Sequence, residues 1–420
     1  MSERRFEFEV VVVGGGPAGL AAACVAAESG KRVALLDDTP WLGGQIWRGQ
    51  QVKPSVPQAQ RWLERFRESG ATRLDRTSVI GAPRHRVLLA EHPEGPREIH
   101  WQRLIVATGA RELFLPFPGW TMPGVVGPGG LQSMVKHGWP VNGKRVVVAG
   151  SGPLLLAVAD GLRSYDAKVV SIAEQAPWSR MLRFGVELLR HPAKLWQGAQ
   201  IKFRLGAVPY RCGTWVVRAE GDAAVRRVVL TNGRRTWTEG CDLLACGFNL
   251  VPNVELPLVL GCETANGFVR VDAFQATSAA NVFCAGEPTG IGGAEAAVVE
   301  GQIAGYAAAG QREQATALLD QRTAWHAFRA ALARAFALRP EAKALATDET
   351  LVCRCEDVPL ARMRTFGDWR EAKLHSRCGM GSCQGRICGA AAQVILGWGM
   401  ESVRPPVLPA KMESLISQKH

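Results

Sequence analysis

The sequence lacks any run of five or six lysines and arginines, although its 420 residues carry a net charge of +12. Nucleic-acid-binding arms usually contain such a block, so we interpret the excess charge as a solvated basic surface. Attraction to anionic lipid headgroups or to an acidic protein partner is the weaker interpretation. A chain of this length is too long for one core, so about two to four domains are expected.

The first residues also lack the charged and apolar regions of a secretory signal peptide. The uncharged run Val10 to Ala27 contains Gly-Gly-Gly-Pro, which favours a strand, a turn and a helix over a membrane span. We therefore expect a cytoplasmic protein, with peripheral association at the cytoplasmic membrane as the alternative. In that compartment the eleven cysteines favour reduced thiols or metal ligands over disulfides.

The segment FEFEVVVVGGGPAGLAAACVAAESGKRVALLDD has the pattern of a strand over residues 8–13, a glycine turn, a helix and a strand over residues 32–36. Gly14, Gly16 and Gly19 fit GxGxxG: they allow a tight turn, the approach of a pyrophosphate, and close packing of the helix. Asp37 follows Gly19 by eighteen residues and places a carboxylate where a ribose hydroxyl would lie. These features, in this order, predict a dinucleotide site.

Three later motifs favour FAD over NAD as the dinucleotide: WLGGQI (41–46), LIVATGARE (104–112) and NVFCAGEPTGIGGAEAAVVEGQIAG (281–305). With them the chain resembles the pyridine nucleotide–disulfide oxidoreductases, flavoproteins with two dinucleotide-binding domains. In that family a late acid, here Glu287 in place of the usual Asp, approaches the ribityl chain. The next helix points its N-terminus at the isoalloxazine, where it would stabilise negative charge. The resemblance implies that FAD is bound by Gly14, Gly16, Pro17, Ala18, Gly19, Asp37, Gly44, Gln45, Thr108, Gly109, Gly286, Glu287 and Gly293.

A second nucleotide fold is predicted from GKRVVVAGSGPLLLAVADGLRSYDAKVVSIAEQ, with strands over residues 145–149 and 168–172 followed by Glu174. The third glycine of the turn is missing, and Leu155 stands in its place. Because leucine pushes the helix away from the strand or demands local repacking, the ligand of this fold stays open. The alternatives are NAD(P)H, another adenine nucleotide, or a fold kept for packing alone.

The groups that a self-contained catalyst would need are missing as well. No CxxC or CxxxxC pair stands near Gly43, where a disulfide reductase would carry its dithiol, and the histidines are scattered. We see no constellation of His, Glu and Asp that would act as a catalytic acid or base, so no catalytic residue is assigned. Six isolated cysteines are interpreted as buried structural thiols: Cys24, Cys212, Cys241, Cys246, Cys262 and Cys284.

The C-terminal region contains LVCRCEDV and HSRCGMGSCQGRICG. A CxC pair is uncommon for zinc but suits a small iron–sulfur cluster held by four thiolates; a zinc site or unligated thiols remain the alternatives. The segment resembles the 2Fe–2S domain of bacterioferritin-associated ferredoxin (BFD-like). That resemblance implies Cys353, Cys355, Cys383 and Cys388 as ligands and leaves Cys378 as a spare thiol.

Together these motifs, with ATGARELFLPFPGWTMPGV and GSGPLLLA, resemble the larger flavoprotein subunits of hetero-oligomeric amino- and imino-acid dehydrogenases. That group includes subunits of hydrogen cyanide synthase, opine oxidases and proline or hydroxyproline dehydrogenases. The resemblance implies two kinds of partner, a second FAD-containing catalytic subunit and, in some members, a small ferredoxin-like protein. The chain would relay electrons from oxidation of a C–N bond in the partner to a quinone or other acceptor. The alternatives are a self-sufficient NAD(P)H:acceptor oxidoreductase and a non-enzymatic iron-handling or redox-sensing module.

The expected fold is α/β, with two Rossmann-like domains and a small C-terminal BFD-like iron–sulfur domain. The FAD domain is expected to be discontinuous, because the second nucleotide fold is inserted in it. The predicted boundaries are residues 1–120 and 251–308 for the FAD domain, 121–250 for the insertion, 309–350 for a helical connector, and 351–420 for the BFD-like domain.

Overall fold

The computed structural model describes residues 4–51, 54–399 and 403–416. Its contacts divide the chain into two compact units: unit 1 contains residues 1–111, 252–329 and 401–420, and unit 2 contains residues 112–251 and 330–400. Unit 1 thus joins the two predicted FAD segments, and it also takes residues 401–420, which the sequence analysis assigned to the C-terminal domain. The division into four domains stays a prediction.

The strands are β1 Arg4–Val13, β2 Val33–Leu36, β3 Thr72–Leu74, β4 Ser78–Arg84, β5 Val87–His92, β6 Gly95–Val106, β7 Ala110–Glu112, β8 Val125–Val126, β9 Arg145–Ser151, β10 Lys168–Glu174, β11 Tyr210–Cys212, β12 Trp215–Glu220, β13 Arg227–Thr231, β14 Thr236–Gly240, β15 Leu243–Phe248, β16 Leu250–Pro252, β17 Thr264–Ala265, β18 Phe268–Val269, β19 Val282–Cys284, β20 Leu351–Cys353 and β21 Val358–Pro359.

The helices are α1 Pro17–Glu28, α2 Pro57–Glu68, α3 Pro128–Lys136, α4 Leu154–Arg163, α5 Trp178–Leu188, α6 Pro192–Leu205, α7 Glu255–Val259, α8 Gly293–Ala309, α9 Arg312–Thr316, α10 Leu319–Ala335, α11 Pro340–Lys343, α12 Leu360–Met363, α13 Trp369–Ser376, α14 Cys388–Leu396 and α15 Met412–Ile416, with a 3-10 turn at Glu287–Thr289.

The main sheet of unit 1 has the strand order β3-β2-β1-β6-β5-β4, and β19 pairs with β6. Strands β1, β2, β3, β6 and β19 are parallel, whereas β4, β5 and β6 pair in antiparallel fashion. The four valines 10–13 are buried, as expected where helices cover both faces of a parallel sheet. The predicted strands 8–13 and 32–36 are confirmed as Arg4–Val13 and Val33–Leu36.

The main sheet of unit 2 is parallel throughout, in the order β11-β10-β9-β15-β8. An antiparallel sheet, β12-β13-β14, lies between β11 and β15 in sequence. The predicted strands 145–149 and 168–172 are observed as Arg145–Ser151 and Lys168–Glu174. Leu155 lies in α4 and is fully buried in a cluster with Val146 and Val148. The helix therefore packs through apolar side chains where a third glycine would have allowed direct contact with the strand. Both units are α/β, which confirms the predicted fold class.

The cysteine-rich part of unit 2 has a small core of its own. Strands β20 and β21 pair in antiparallel fashion, and the short helices α12, α13 and α14 follow. Buried Val352, Leu360, Met363 and Ala372 pack here with three of the cysteines. Such a core is small, so ligation by a metal would be expected to contribute to its stability.

No helix among the described residues combines the length and the apolar composition that crossing a bilayer requires. The uncharged run Val10 to Ala27 folds as the end of β1, a turn and α1, as the sequence analysis predicted.

Candidate dinucleotide and metal sites

The first glycine turn connects β1 to α1 in unit 1. Gly14 has a φ of +109°, and a Cβ placed there would lie 2.2 Å from the carbonyl oxygen of Ala107. A Cβ at Gly19 would lie only 1.8 Å from the carbonyl oxygen of Gly14, so helix and turn touch without room for a side chain. These two glycines are thus required by packing, as the motif predicted.

The ligand-facing part of that turn is Gly16, which precedes Pro17 at the start of α1. A Cβ at Gly16 would meet its nearest neighbour, the Cα of Gly44, only at 3.9 Å. No side chain caps the first turn of α1, so its amide groups are available to an anion. The open space and the free amide groups are compatible with a pyrophosphate at Gly16, and that site stays a prediction.

Asp37 stands at the end of β2, beside the turn. One of its carboxylate oxygens accepts from the amide of Gly15 at 2.6 Å. The other accepts from the amide and the hydroxyl of Thr39 at 2.8 and 2.6 Å. The carboxylate is thereby fixed next to the glycine turn, which is the position from which it could bind ribose hydroxyls.

The loop that carries Gly44 and Gln45 folds over the same turn. The amide of Gly43 donates to the carbonyl of Gly15 at 2.7 Å, which holds Gly44 beside Gly16. Gln45 is exposed. Of the two predicted cofactor residues of this loop, Gly44 is therefore adjacent to the turn through its backbone.

Thr108 and Gly109 follow β6 and are tied to the returning segment of unit 1 by Asn253. The hydroxyl of Thr108 donates to the carbonyl of Asn253 at 2.7 Å, and the side-chain amide of Asn253 donates to the carbonyl of Thr108 at 2.9 Å. The amide of Asn253 also donates to the carbonyl of Gly109 at 3.0 Å. Sequence reasoning missed Asn253, because its partners lie about 145 residues away.

A buried carboxylate, Glu300 on α8, anchors the loop that begins at Gly286. It accepts from the amide of Gly286 and the hydroxyl of Thr289, both at 2.9 Å. Arg329 forms an ion pair with it at 2.9 Å, and the His326 ring lies 3.2 Å away. Burial alone would raise the pKa of Glu300, but these partners lower it, so the carboxylate is ionised. Sequence reasoning missed this hub as well.

Glu287, predicted to approach a ribityl chain, begins the 3-10 turn that follows β19. Withdrawal from water raises the pKa of its carboxyl to about 7, and the charge of Arg329 opposes that rise. Gly293 is the first residue of α8, next to its N-cap Gly292. The order strand, acid and helix N-terminus therefore occurs as the sequence predicted, and a flavin in that position would face the positive end of the helix dipole.

The second glycine turn, in unit 2, binds its own acid tightly. Glu174 at the end of β10 accepts from the amides of Gly152 and Ala176, both at 2.8 Å. Burial raises the pKa of this carboxyl to about 7 in spite of these hydrogen bonds. The geometry parallels that of Asp37, so the nucleotide-binding scaffold is retained here.

A later segment of the same chain, however, lies at the carboxyl edge of this second sheet. The carbonyl of Phe336 accepts from the hydroxyl of Ser151 in the glycine turn at 3.1 Å and from the side chain of Asn249, just after β15, at 3.0 Å. The ring of Phe336 packs edge-on against Phe184 with centroids 5.5 Å apart. Open α/β sheets bind nucleotides at this carboxyl edge, so Phe336 lies where a ligand would be expected.

The next residues continue along the same edge. Gln175, directly after β10, donates to the carbonyl of Ala337 at 3.3 Å and accepts from the amide of Arg339 at 3.0 Å. The guanidinium of Arg339 stacks over Trp215, 4.3 Å from the ring centroid. We call Phe336–Arg339 the occluding segment. Its position could not be read from the sequence, which predicts only a helical connector over residues 309–350.

Three cysteines of unit 2 bring their sulfur atoms together. The thiols of Cys353, Cys378 and Cys388 lie within 4.8 Å of one another, and all three are buried. Cys353 ends β20, Cys388 begins α14, and Cys378 follows the C-terminus of α13. Two of the predicted ligands are therefore adjacent, and the supposedly spare Cys378 lies with them.

The two other predicted ligands lie on the outer side of this group. Cys383 is half-buried, and a hydrogen bond with Cys388 lowers the pKa of its thiol to about 5; Cys355, which is exposed, also contacts it. Contact with Cys378 and Cys388 lowers the pKa of Cys353 to about 2. The same contacts raise the pKa of Cys378 and Cys388, so these thiols titrate as one coupled group. Ligation is favoured by the proximity of the sulfur atoms, because a metal can replace the protons that they share.

The glycine-rich loop 379–385 lets the backbone wrap closely around these sulfurs. A Cβ at Gly381 would lie 2.3 Å from the Cβ of Cys355. A Cβ at Gly379 would lie 2.6 Å from the ring of Trp369. The five thiols and this loop together fit a metal ion or a small iron–sulfur cluster. Arg377 pairs with Glu356 at 2.9 Å, so its charge is partly neutralised near the site.

The six other cysteines are free thiols, and all but the half-buried Cys212 are buried, as predicted. Burial raises the pKa of Cys246, and it raises that of Cys24 to about 12. Cys241 and Cys246 are spaced as C-x4-C, but most of the intervening chain is extended in β15. That separates their Cα atoms by roughly 15 Å, too far for a disulfide.

The fold and these sites define an oxidoreductase with two dinucleotide folds and a thiol-rich site. Residues 8–301 match the family model described as pyridine nucleotide-disulphide oxidoreductase. The chain belongs to this family, whose members are FAD-dependent.

The chain is similar over most of its length to subunits of hydrogen cyanide synthase and of opine oxidase. It is 32% identical to the HcnB subunit of the hydrogen cyanide synthase of Pseudomonas aeruginosa, over 90% of either chain. It is 30% identical to an opine oxidase subunit of Rhizobium meliloti, over 100% of this chain and 89% of that one. Among solved structures, L-proline dehydrogenase from P. horikoshii has the same fold, with a TM-score of 0.67 at 20% identity over 99% of this chain and 80% of that one.

Proposed function

We propose that this chain is the electron-transfer subunit of a multi-subunit, FAD-dependent dehydrogenase or oxidase that acts on the C–N bond of an amino or imino acid. A second FAD-containing subunit would oxidise the substrate. A small ferredoxin-like protein would join them in some assemblies. The chain would pass the electrons to a quinone or another acceptor.

The observation that carries this proposal is the combination, on one chain, of a glycine turn shaped for a pyrophosphate and a cluster of five thiols. A bound flavin accepts electrons in pairs, and an iron–sulfur centre passes them singly. Sequence reasoning found no acid–base constellation for oxidising a substrate on this chain. A relay role accounts for both facts.

The names of the relatives support the same class. In hydrogen cyanide synthase and in opine oxidase, the protein that aligns with nearly the whole of this chain is named as one subunit of the enzyme. The substrate class is inferred from those names and from the resemblance in the motifs. We infer no individual substrate.

We propose that FAD is bound in unit 1 and a 2Fe–2S cluster in unit 2. FAD would be held by the thirteen residues named from the sequence, of which Gly16, Asp37 and Gly44 have the most direct geometry. The cluster would be held by Cys353, Cys355, Cys383 and Cys388. Asn253 and Glu300 would act as positioning residues, because they hold the loops at Thr108 and Gly286.

Co-expression with a neighbouring flavoprotein gene tests the proposal. We expect the two chains to co-purify with FAD and iron, and to oxidise an amino or imino acid with an artificial acceptor. Each chain alone should be inactive, because substrate oxidation and electron transfer reside on different subunits. Full dehydrogenase activity of this chain by itself would refute the relay role.

The alternative function, an NAD(P)H:acceptor oxidoreductase, conflicts with the occluding segment. Because Ser151, Gln175 and Asn249 bind the carbonyls of that segment or its amide, they are not available to a dinucleotide. We therefore expect anaerobic NADH or NADPH to leave the flavin oxidised over the time in which dithionite bleaches it completely. Absorption spectroscopy in a stopped-flow instrument measures this.

The variant Gln175→Ala/Asn249→Ala provides the control for that experiment. It removes two anchors of the occluding segment and should weaken its hold on the sheet edge. Nucleotide binding that arises only in the variant would support occlusion. Rapid bleaching of the unmodified protein by NADH would instead favour the reductase.

A further inference from the structure

The helices α5 and α6 form a hairpin whose outward face is apolar. Sixteen large hydrophobic side chains are exposed in the described residues, and seven of them lie within the 28 residues from Trp178 to Leu205. Phe203 is 87% exposed and Trp196 is 67% exposed. Single exposed hydrophobic residues are normal on a soluble surface, but a concentration of this kind marks a binding face.

The exposed residues form regular stripes along the helices. On α5, Trp178, Leu182 and Val186 recur every four residues, and Leu189 follows at the C-cap, so they share one face. The opposite side of α5 carries Phe184, which is buried against Phe336 in unit 2. The helix is thus held through one side and presents a second apolar side outward.

The second helix repeats this arrangement. Leu205 at the end of α6 is buried in the core of unit 2, and Ile201 packs partly against the same core. Trp196 and Phe203, seven residues apart, project from the other side. Each helix therefore packs on unit 2 through its inner face, and its apolar stripe lies on the outer face.

The charge of the hairpin selects the class of occupant. Residues 178–205 contain six lysines and arginines and a single acid, Glu187. Arg204 also pairs with Asp160 outside the hairpin at 2.6 Å, so the net local charge, six cations less two acids, is +4. Membrane-surface helices combine Trp, Phe and Leu on one face with Lys and Arg beside them, which is the composition of this hairpin. Anionic lipid headgroups complement this charge.

We propose that the α5–α6 hairpin docks the protein on an anionic lipid surface, with Trp178, Leu182, Trp196 and Phe203 in the interface. At 1.5 Å per residue the helices are about 16 and 21 Å long, shorter than the roughly 30 Å of a bilayer core. They therefore lie in the plane of the interface. The docking stands apart from the proposed electron route, because lipid binding needs neither substrate nor acceptor.

Sedimentation of the full-length, cofactor-loaded chain with sucrose-loaded vesicles tests the docking. We expect binding to vesicles of phosphatidylcholine mixed with phosphatidylglycerol, weaker binding to phosphatidylcholine alone, and release by salt. A blue shift of tryptophan fluorescence should accompany binding, because indole rings leave water. Absence of binding at low salt would overturn the proposal.

The apolar part of the contact is tested by the variant Leu189→Ala/Trp196→Ala/Phe203→Ala. These side chains are exposed, so folding should be unaffected, whereas vesicle affinity should fall at least about tenfold. The matched control is Trp139→Ala/Leu374→Ala/Met412→Ala, which removes exposed side chains outside the hairpin and should bind as the unmodified protein does. Equal loss in both variants would refute the assignment to the hairpin.

The electrostatic part is tested by Arg183→Gln/Lys194→Gln/Lys202→Gln. At about fivefold per charge near the membrane, affinity for the anionic vesicles should fall roughly a hundredfold, with a shallower salt dependence. The other candidate occupant is a protein subunit. If the hairpin variants abolish co-purification with the catalytic partner while vesicle binding is absent or unchanged, the face is a subunit interface and the lipid proposal is wrong. Flavin and iron contents, measured in parallel, report separately on the proposed function.

Discussion

Replacing Cys388 by serine is expected to remove the visible absorption of the proposed iron–sulfur cluster from the purified chain. Cys388 begins α14 and contacts the thiols of Cys353, Cys378 and Cys383, so it lies at the centre of the group. A serine hydroxyl stays protonated at neutral pH and is a poor substitute for a thiolate. Iron content, visible absorption and EPR of the reduced, anaerobically purified protein measure the loss.

The fifth thiol makes the experiment more informative. We expect Cys378→Ser to keep the cluster with an altered reduction potential, because its sulfur lies beside two ligands and can hydrogen-bond to them. Cys355→Ser should lose the cluster, although Cys355 is exposed. The reverse outcome, a loaded Cys355→Ser and an iron-free Cys378→Ser, would transfer the fourth ligand position to Cys378.

Cys212→Ser supplies the control for general thiol loss. Cys212 belongs to unit 2 but ends β11, in a different part of that unit. Its replacement should leave iron content and flavin content unchanged. If Cys212→Ser also lost iron, the effect of the other substitutions could not be assigned to ligation.

The parts of the molecule that the sequence predicted are those controlled by local rules. The valine run before Gly14, the spacing of the glycines and the acid at Asp37 follow from strand burial and turn geometry within about 35 residues. The two strands and the acid of the second nucleotide fold, between Arg145 and Glu174, follow from the same local rules. In each case the structure places the strand and the acid within two residues of the predicted boundary, except that β1 starts earlier, at Arg4.

The parts that sequence reasoning missed depend on partners distant in the chain. Glu300 lies in the middle of an alanine-rich helix, and only the fold brings Gly286, Thr289 and Arg329 to it. The occluding segment reaches Ser151 across 185 residues of sequence. Cys378 was set aside because the CxC resemblance supplied four ligands without it. One signal was available for Glu300, since an acid in the middle of an apolar helix needs a partner when buried.

Replacing Gly16 by alanine is expected to weaken FAD binding strongly without unfolding the protein. Gly16 has a φ of −76°, which alanine adopts freely, and its added Cβ would be 3.9 Å from the nearest atom. That methyl group would stand where a pyrophosphate approaches the turn. Blocking a few charge-assisted backbone hydrogen bonds should weaken FAD binding by roughly a hundredfold, or about 3 kcal/mol.

Two further alanine variants separate the loss of the ligand from the loss of the fold. Gly19→Ala puts a Cβ 1.8 Å from a backbone oxygen and should prevent folding. Gly198→Ala adds a methyl group to open space within α6. It should change the free energy of unfolding by no more than about 1 kcal/mol and leave the flavin content unchanged. Thermal melting of the apoproteins and the flavin-to-protein absorbance ratio distinguish the three. If Gly16→Ala retained its FAD, the pyrophosphate would not lie against this turn. If Gly16→Ala failed to fold, as Gly19→Ala is expected to, the glycine would be required for packing and would not indicate a ligand.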